Sequence, residues 1–198
     1  MSDEPLIEQI KRVLRDTDAR GFRLHKYGNG REGGDAPFEQ RARSFNVDNI
    51  ERAAAQVELL WDKVPAAAKG GSGDGDDDDD DDDEDFVMNA TVYGMKHELE
   101  HFRDKVLGHD ARFQYISSGD FAMAMLLCGF DLMDESSGNY NVRLRVRSTD
   151  GHRAYREARH LRRAADDSSG SDMERARNEL KRRAAEWAAE CKQADHYR

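Results

Sequence analysis

Residues 121–128 read Phe-Ala-Met-Ala-Met-Leu-Leu-Cys without a polar interruption. A helix apolar on every side has no solvent face and belongs inside a core. Ser118 is placed to cap it, Asp120 suits its first turn, and Gly129 can take the left-handed conformation that ends it. The pattern then changes period. Tyr140, Val142, Leu144 and Val146 alternate with Asn141, Arg143, Arg145 and Arg147. Alternation predicts a half-buried strand with a basic outer face. Residues 134–139 between them are turn formers, so residues 130–133 and 140–147 are expected to form a β-hairpin, with residues 112–116 a further strand.

Elsewhere the period is helical. Leu6, Ile10, Val13 and Leu14 share a face over residues 5–18, with Pro5 suited to the first turn. Ile50, Ala54, Val57, Trp61 and Val64 do so over residues 47–64, where Asn46 or Asp48 can cap and Pro65 stops the helix. Residues 22–27 and 86–93 read as strands. Residues 94–107 form a helix around Met95, Leu99, Phe102 and Val106, ended by Gly108. Residues 149–165 are an arginine-rich helix anchored by Tyr155, Ala158 and Leu161. A capping box at Ser171 and Glu174 opens a last helix. Together these predict an α+β fold, mostly helical: a small antiparallel sheet with a buried helix and a β-hairpin, a C-terminal helical hairpin, and an acidic disordered linker. The expected divisions are an N-terminal helical segment (1–65), the linker (66–85), the α+β core (86–148) and the helical hairpin (149–198).

Charge sharpens this picture. The chain of 198 residues has a formal net charge of −10. Eleven of its carboxylates fall between Asp74 and Asp85, leaving 31 cations against 30 acids elsewhere. Asp76, Asp77, Asp78, Asp79, Asp80, Asp81, Asp82, Asp83, Glu84 and Asp85 form one run, which self-repulsion keeps from packing and which suits a basic partner. Between residues 143 and 163 eight arginines face two carboxylates, Asp150 and Glu157. Arg143, Arg145 and Arg147 on the strand, and Arg153, Arg156, Arg159 and Arg163 on the helix, are the candidate surface for phosphate or an acidic partner. No apolar run approaches the ~20 residues needed to cross a bilayer. The acidic, amphipathic start of the chain does not read as a secretory signal. Two cysteines, Cys128 and Cys191, make no disulfide framework. An intracellular protein, in the cytoplasm or nucleus, is expected.

Two motifs bear on enzymology. Gly28-Asn-Gly-Arg-Glu-Gly33 spells GxGxxG, yet no apolar helix opens inside it, as a dinucleotide site requires. His97-Glu-Leu-Glu-His101 matches HExxH, in which two imidazoles one turn apart hold zinc and Glu98 activates water. The core stripe of that helix lies roughly opposite both histidines, Glu100 adds a charge, and no third ligand stands at a recognised spacing. The buried helix carries no side chains able to read a major groove. The expected function is therefore a non-enzymatic binding or regulatory protein acting by electrostatic association, with a protein partner first and a nucleic acid second, and with no cofactor. A metal-dependent hydrolase using His97, Glu98 and His101, or a structural component of a larger assembly, is the alternative.

Overall fold

The computed structural model describes residues 4–29, 35–64, 87–109, 115–133, 142–163 and 171–196. Helix α1 (Leu6–Ala19) leads into a short hairpin of β1 (Leu24–His25) and β2 (Gly28–Asn29). Helices α2 (Phe38–Ser44) and α3 (Val47–Leu60) follow, then β3 (Trp61–Lys63). Strand β4 (Val87–Thr91) runs into α4 (Val92–Phe102), which continues as a π-helical turn (Arg103–Leu107). Helix α5 (Ser118–Leu127), strand β5 (Arg143–Ser148) and helices α6 (Asp150–Arg163) and α7 (Ser171–His196) complete the chain. The fold is α+β and mostly helical, as the residue pattern predicts.

The apolar helix α5 is the centre. Phe121, Ala122, Met123, Ala124 and Met125 are all fully buried. Its cap is Ser117, one residue before the expected Ser118: the Ser117 hydroxyl accepts the Asp120 N–H at 3.1 Å. Gly129 ends the helix at φ 83°, as anticipated. Asp120, itself buried, accepts the Asn46 N–H at 2.9 Å. Asn46 in turn caps α3 through the Asn49 N–H, so one carboxylate ties the starts of α5 and α3 together.

Strand β5 is central in a three-stranded antiparallel sheet of order β3–β5–β4. Trp61 pairs with Ser148 and Asp62 with Arg147 on one side; on the other, the register runs from Val87 opposite Arg147 to Thr91 opposite Arg143. The return from residues 130–133 is a single bridge, Leu132 to Leu144, with the Met133 N–H donating to the Arg143 carbonyl. Leu144 and Val146 are buried. Strands on both sides of the acidic run thus share one central strand, and the buried core takes residues from both sides of it.

Three local features depart from the sequence pattern. Helix α3 stops at Leu60, and Trp61 turns extended because its backbone pairs with Ser148. Helix α4 starts at Val92, since the Thr91 hydroxyl accepts the Gly94 N–H at 3.2 Å. Helix α2, unforeseen, is held by buried Arg41, which reaches Asp18 at the end of α1 and the Leu24 carbonyl. The acidic run, residues 30–33 of the glycine motif, residues 112–114 and the turn at 134–139 lie outside the described residues.

Gly119 sits against the tip of the first hairpin, its N–H donating to the Lys26 carbonyl at 3.0 Å. A Cβ there would fall 1.9 Å from the His25 carbonyl oxygen. Gly119→Ala therefore forces hairpin and helix apart, at a cost of about 1–3 kcal/mol for overpacking. A urea midpoint unchanged from the parent protein would disprove this packing.

Candidate functional site

The predicted site residues fall in three places. The first is the outer face of the sheet. Arg143, Arg145 and Arg147 alternate with buried Leu144 and Val146 on the central strand, and Arg143 is exposed. Their register partners are Thr91, Asn89 and, for Arg147, Asp62 and Val87. All three arginines already make polar or electrostatic contacts within the chain.

The second place is the surface of α6. Arg153 pairs with Asp150 at 2.6 Å, and with Arg156 it lines a cleft of about 270 Å³ beside Ser148, Glu157 and His160. The Arg163 side chain lies outside the described set. The third place is the seam between α4 and α6, which separates Arg159 from its neighbours: its guanidinium turns to Glu98 at 3.3 Å. The arginines expected to share one face are distributed over the sheet, the outside of α6 and this seam.

The seam is built from the start of α6 inward. The Thr149 N–H donates to the Leu60 carbonyl, the Thr149 hydroxyl donates to the Leu59 carbonyl, and that hydroxyl accepts the His152 N–H at 3.3 Å. This cap fixes the first turn of α6 onto the end of α3. His152 is consequently driven inward and is 1% exposed. Its ring stands edge-on to Trp61, with centroids 5.6 Å apart, and tilts against Trp187 of α7 at 6.0 Å. Trp187 also packs on Phe102 and Tyr155, and Gly151 leaves room for its indole. His152 Nε2 meets Glu98 Oε1 at 3.4 Å, while Nδ1 is buried without a hydrogen-bond partner among the described residues.

Burial works to raise the Glu98 carboxyl, but the His152 hydrogen bond and the charges of Arg159 and Arg156 outweigh it and hold the pKa at about 2. Burial, with Arg156 nearby, pushes His152 down against the pull of Glu98. Neutral His152 then donates Nε2–H to an ionised Glu98, and Arg159 supplies the balancing charge. His101 is likewise lowered by burial and by Arg159, and its Nδ1 lies 3.4 Å from the Tyr155 hydroxyl.

The three residues of the HExxH match diverge. His97 bonds Glu100 at 2.8 Å and packs edge-on against Tyr93. Glu98 faces His152, and His101 faces Tyr155. No three His, Cys, Asp or Glu side chains converge on a metal-sized position among the described residues. Glu100, which the motif leaves variable, is the local hub: it also holds Lys96 at 2.8 Å and accepts the Ile116 N–H at 3.1 Å. A second polar chain, Arg103 to Gln56 to Asp195 to His109, ties α3, the π turn and α7 together.

Sequence reasoning missed the cleft where α4, its π turn, α6 and α7 meet, bordered by His101, Lys105, Arg159, Lys181 and Lys192. The signal was the set of alanines between Lys181 and Lys192, at positions 184, 185, 188 and 189, which leave one side of α7 without long side chains. Among the described residues no helix is long and apolar enough to cross a membrane. The chain matches no known protein family, no curated protein and no solved structure.

The seam gives the protein an acid-sensitive joint. His152, lowered in the fold, contributes stability that is present above the unfolded value of ~6.5 and is lost as pH falls from there through its lower folded value. Glu98, also lowered, contributes stability present above its unfolded value and lost as pH drops toward about 2. His25 and His101 shift in the same direction as His152. Thermal melts should therefore fall between pH ~7 and ~5 and again below ~4.5. His152→Gln should shrink the first decline; an equally steep decline in that variant would remove His152 from the account.

Proposed function

We propose that the chain is a non-enzymatic binding protein that takes an acidic, extended segment of a partner protein on the arginine face of β5. One observation carries this reading: three arginines alternate along the central strand of an antiparallel sheet. Alternate residues of a strand repeat every ~6.8 Å. An extended acidic segment repeats its carboxylates at the same interval, so successive guanidinium groups meet successive carboxylates, each pair able to bond in bidentate fashion. Two register partners, Thr91 and Asn89, bring no charge to compete; Asp62 stands opposite Arg147. The partner extends or replaces contacts that the arginines make within the chain.

The acidic run belongs to the same proposal. It lies in the connection between β3 and β4, whose ends Lys63 and Val87 pair with Val146 and Arg147. Asp76 through Asp85 serve a basic partner and weaken the hold of the arginines on any anion. At physiological salt, charges separated by more than ~8 Å are largely screened, so this effect is local.

The test is titration of a labelled polyglutamate peptide and a labelled DNA duplex at ~50 and ~200 mM salt. The full chain is compared with a variant lacking residues 73–85, and with that variant carrying R143Q, R145Q and R147Q. The deletion should bind the peptide more tightly than the full chain, and the three glutamines should weaken it at least ~10-fold, as loss of charge-assisted hydrogen bonds requires. Tighter binding of the duplex, with a salt slope near ~0.9 per phosphate, would transfer the surface to nucleic acid. Binding of neither would overturn the electrostatic reading.

A further inference from the structure

We propose that the cleft between the π turn, α6 and α7 binds a small organic phosphate with negative charge at both ends, such as a sugar bisphosphate. The cleft holds about 400 Å³, within the ~300–1,000 Å³ usual for small-molecule sites. Its form follows from α7. Lys181, Ala184, Ala185, Ala188 and Lys192 share one face of that helix and all line the cleft. The alanines end at Cβ, and Ala158 of α6 opposite is equally short. Space that longer side chains would fill is left open, with Val106 and the Tyr155 ring completing an apolar floor.

The two lysines stand at the ends of this floor, ~16 Å apart along the axis at 1.5 Å per residue. Their long stems allow both ammonium groups to close on a shorter ligand. Across the cleft stand Arg159, Lys105 and His101. Arg159 is anchored by Nη1 to Glu98 at 3.3 Å, and its Nε is buried without a hydrogen-bond partner among the described residues. Lys105 is held by Asp104 at 2.6 Å, whereas Lys181 and Lys192 have no ion-pair partner among the described residues. Among the described residues no carboxylate lines the cleft. Cations gathered along one cleft in excess of their acids repel one another, and a bound anion relieves that repulsion. A single phosphate reaches one end only; the apolar floor between the ends calls for a carbon body joining two charged groups.

The proposal is tested by calorimetric titration of the full chain with fructose 1,6-bisphosphate, fructose 6-phosphate and inorganic phosphate. The bisphosphate should bind with one-to-one stoichiometry, the monophosphate about tenfold more weakly, and inorganic phosphate weakest. Lys181→Ala and Lys192→Ala should each weaken the bisphosphate about tenfold through loss of one charge-assisted contact. Arg182→Gln changes a residue of α7 that is engaged with Glu179 and Glu186 outside the cleft, and should leave affinity unchanged. Circular dichroism verifies that each variant keeps its helices. Absence of heat with all three ligands at millimolar concentration, equal affinity in the lysine variants, or inorganic phosphate binding as well as the bisphosphate would each overturn the proposal.

Discussion

The backbone of β5 has a hydrogen-bonding partner on both sides, and neither partner could stand without it. Strand β3 has three residues and β4 has five, joined by a connection rich in like charge. Strands this short, on their own, do not hold together in water. Leu144 and Val146 supply the missing term by burying one side of the central strand. The same backbone leaves its odd-numbered positions on the other side, which is where the arginines stand. Core and arginine face are therefore alternate residues of one six-residue strand, and a one-residue shift in register exchanges them.

The helical layer is fixed by a different means. Helices α6 and α7 have few large apolar residues, and they dock through a small number of specific contacts: the Thr149 cap, the His152 ring between two indoles, and the bond from His152 to Glu98. Desolvated polar groups are costly unless paired, so these contacts select one orientation of the hairpin over others that would bury similar area. Arg103, buried and bonded to Gln56, has the same role beneath α7.

Much of this was legible in the residues, and what was not has identifiable causes. The burial of α5, the alternation in β5, Gly108 and Gly129 as stops, and the helical pair at the end follow from period and from glycine chemistry. Trp61 was not legible as a strand residue, because its spacing from Ile50 and Val57 continues the helical stripe and its pairing partner is Ser148, far along the chain. Helix α2 has only Phe38 and Ala42 as apolar residues; its anchor is the Arg41 contact with Asp18, which no local pattern encodes. His152 was not legible as a core residue, since it stands in an arginine-rich helix and its burial depends on a tryptophan 35 residues later. The arginines were identifiable as a group, but their partition among sheet, helix surface and seam depends on the docking angle of α6.

The π turn in α4 is equivalent to one residue more than a regular helix would hold. A wider turn of this kind advances everything beyond it by about a quarter of the circumference. His101 precedes the turn, while Lys105 and Val106 fall within it, yet all three reach the same cleft. Past the turn, Gly108 closes the helix and His109 meets Asp195. A chain shorter by one residue here could form an unbroken α-helix with a better hydrogen-bond ladder, but it would rotate Val106 out of the core and carry His109 away from α7. The imperfect ladder is thus retained at the point where local helix regularity and the seating of the last helix are mutually exclusive.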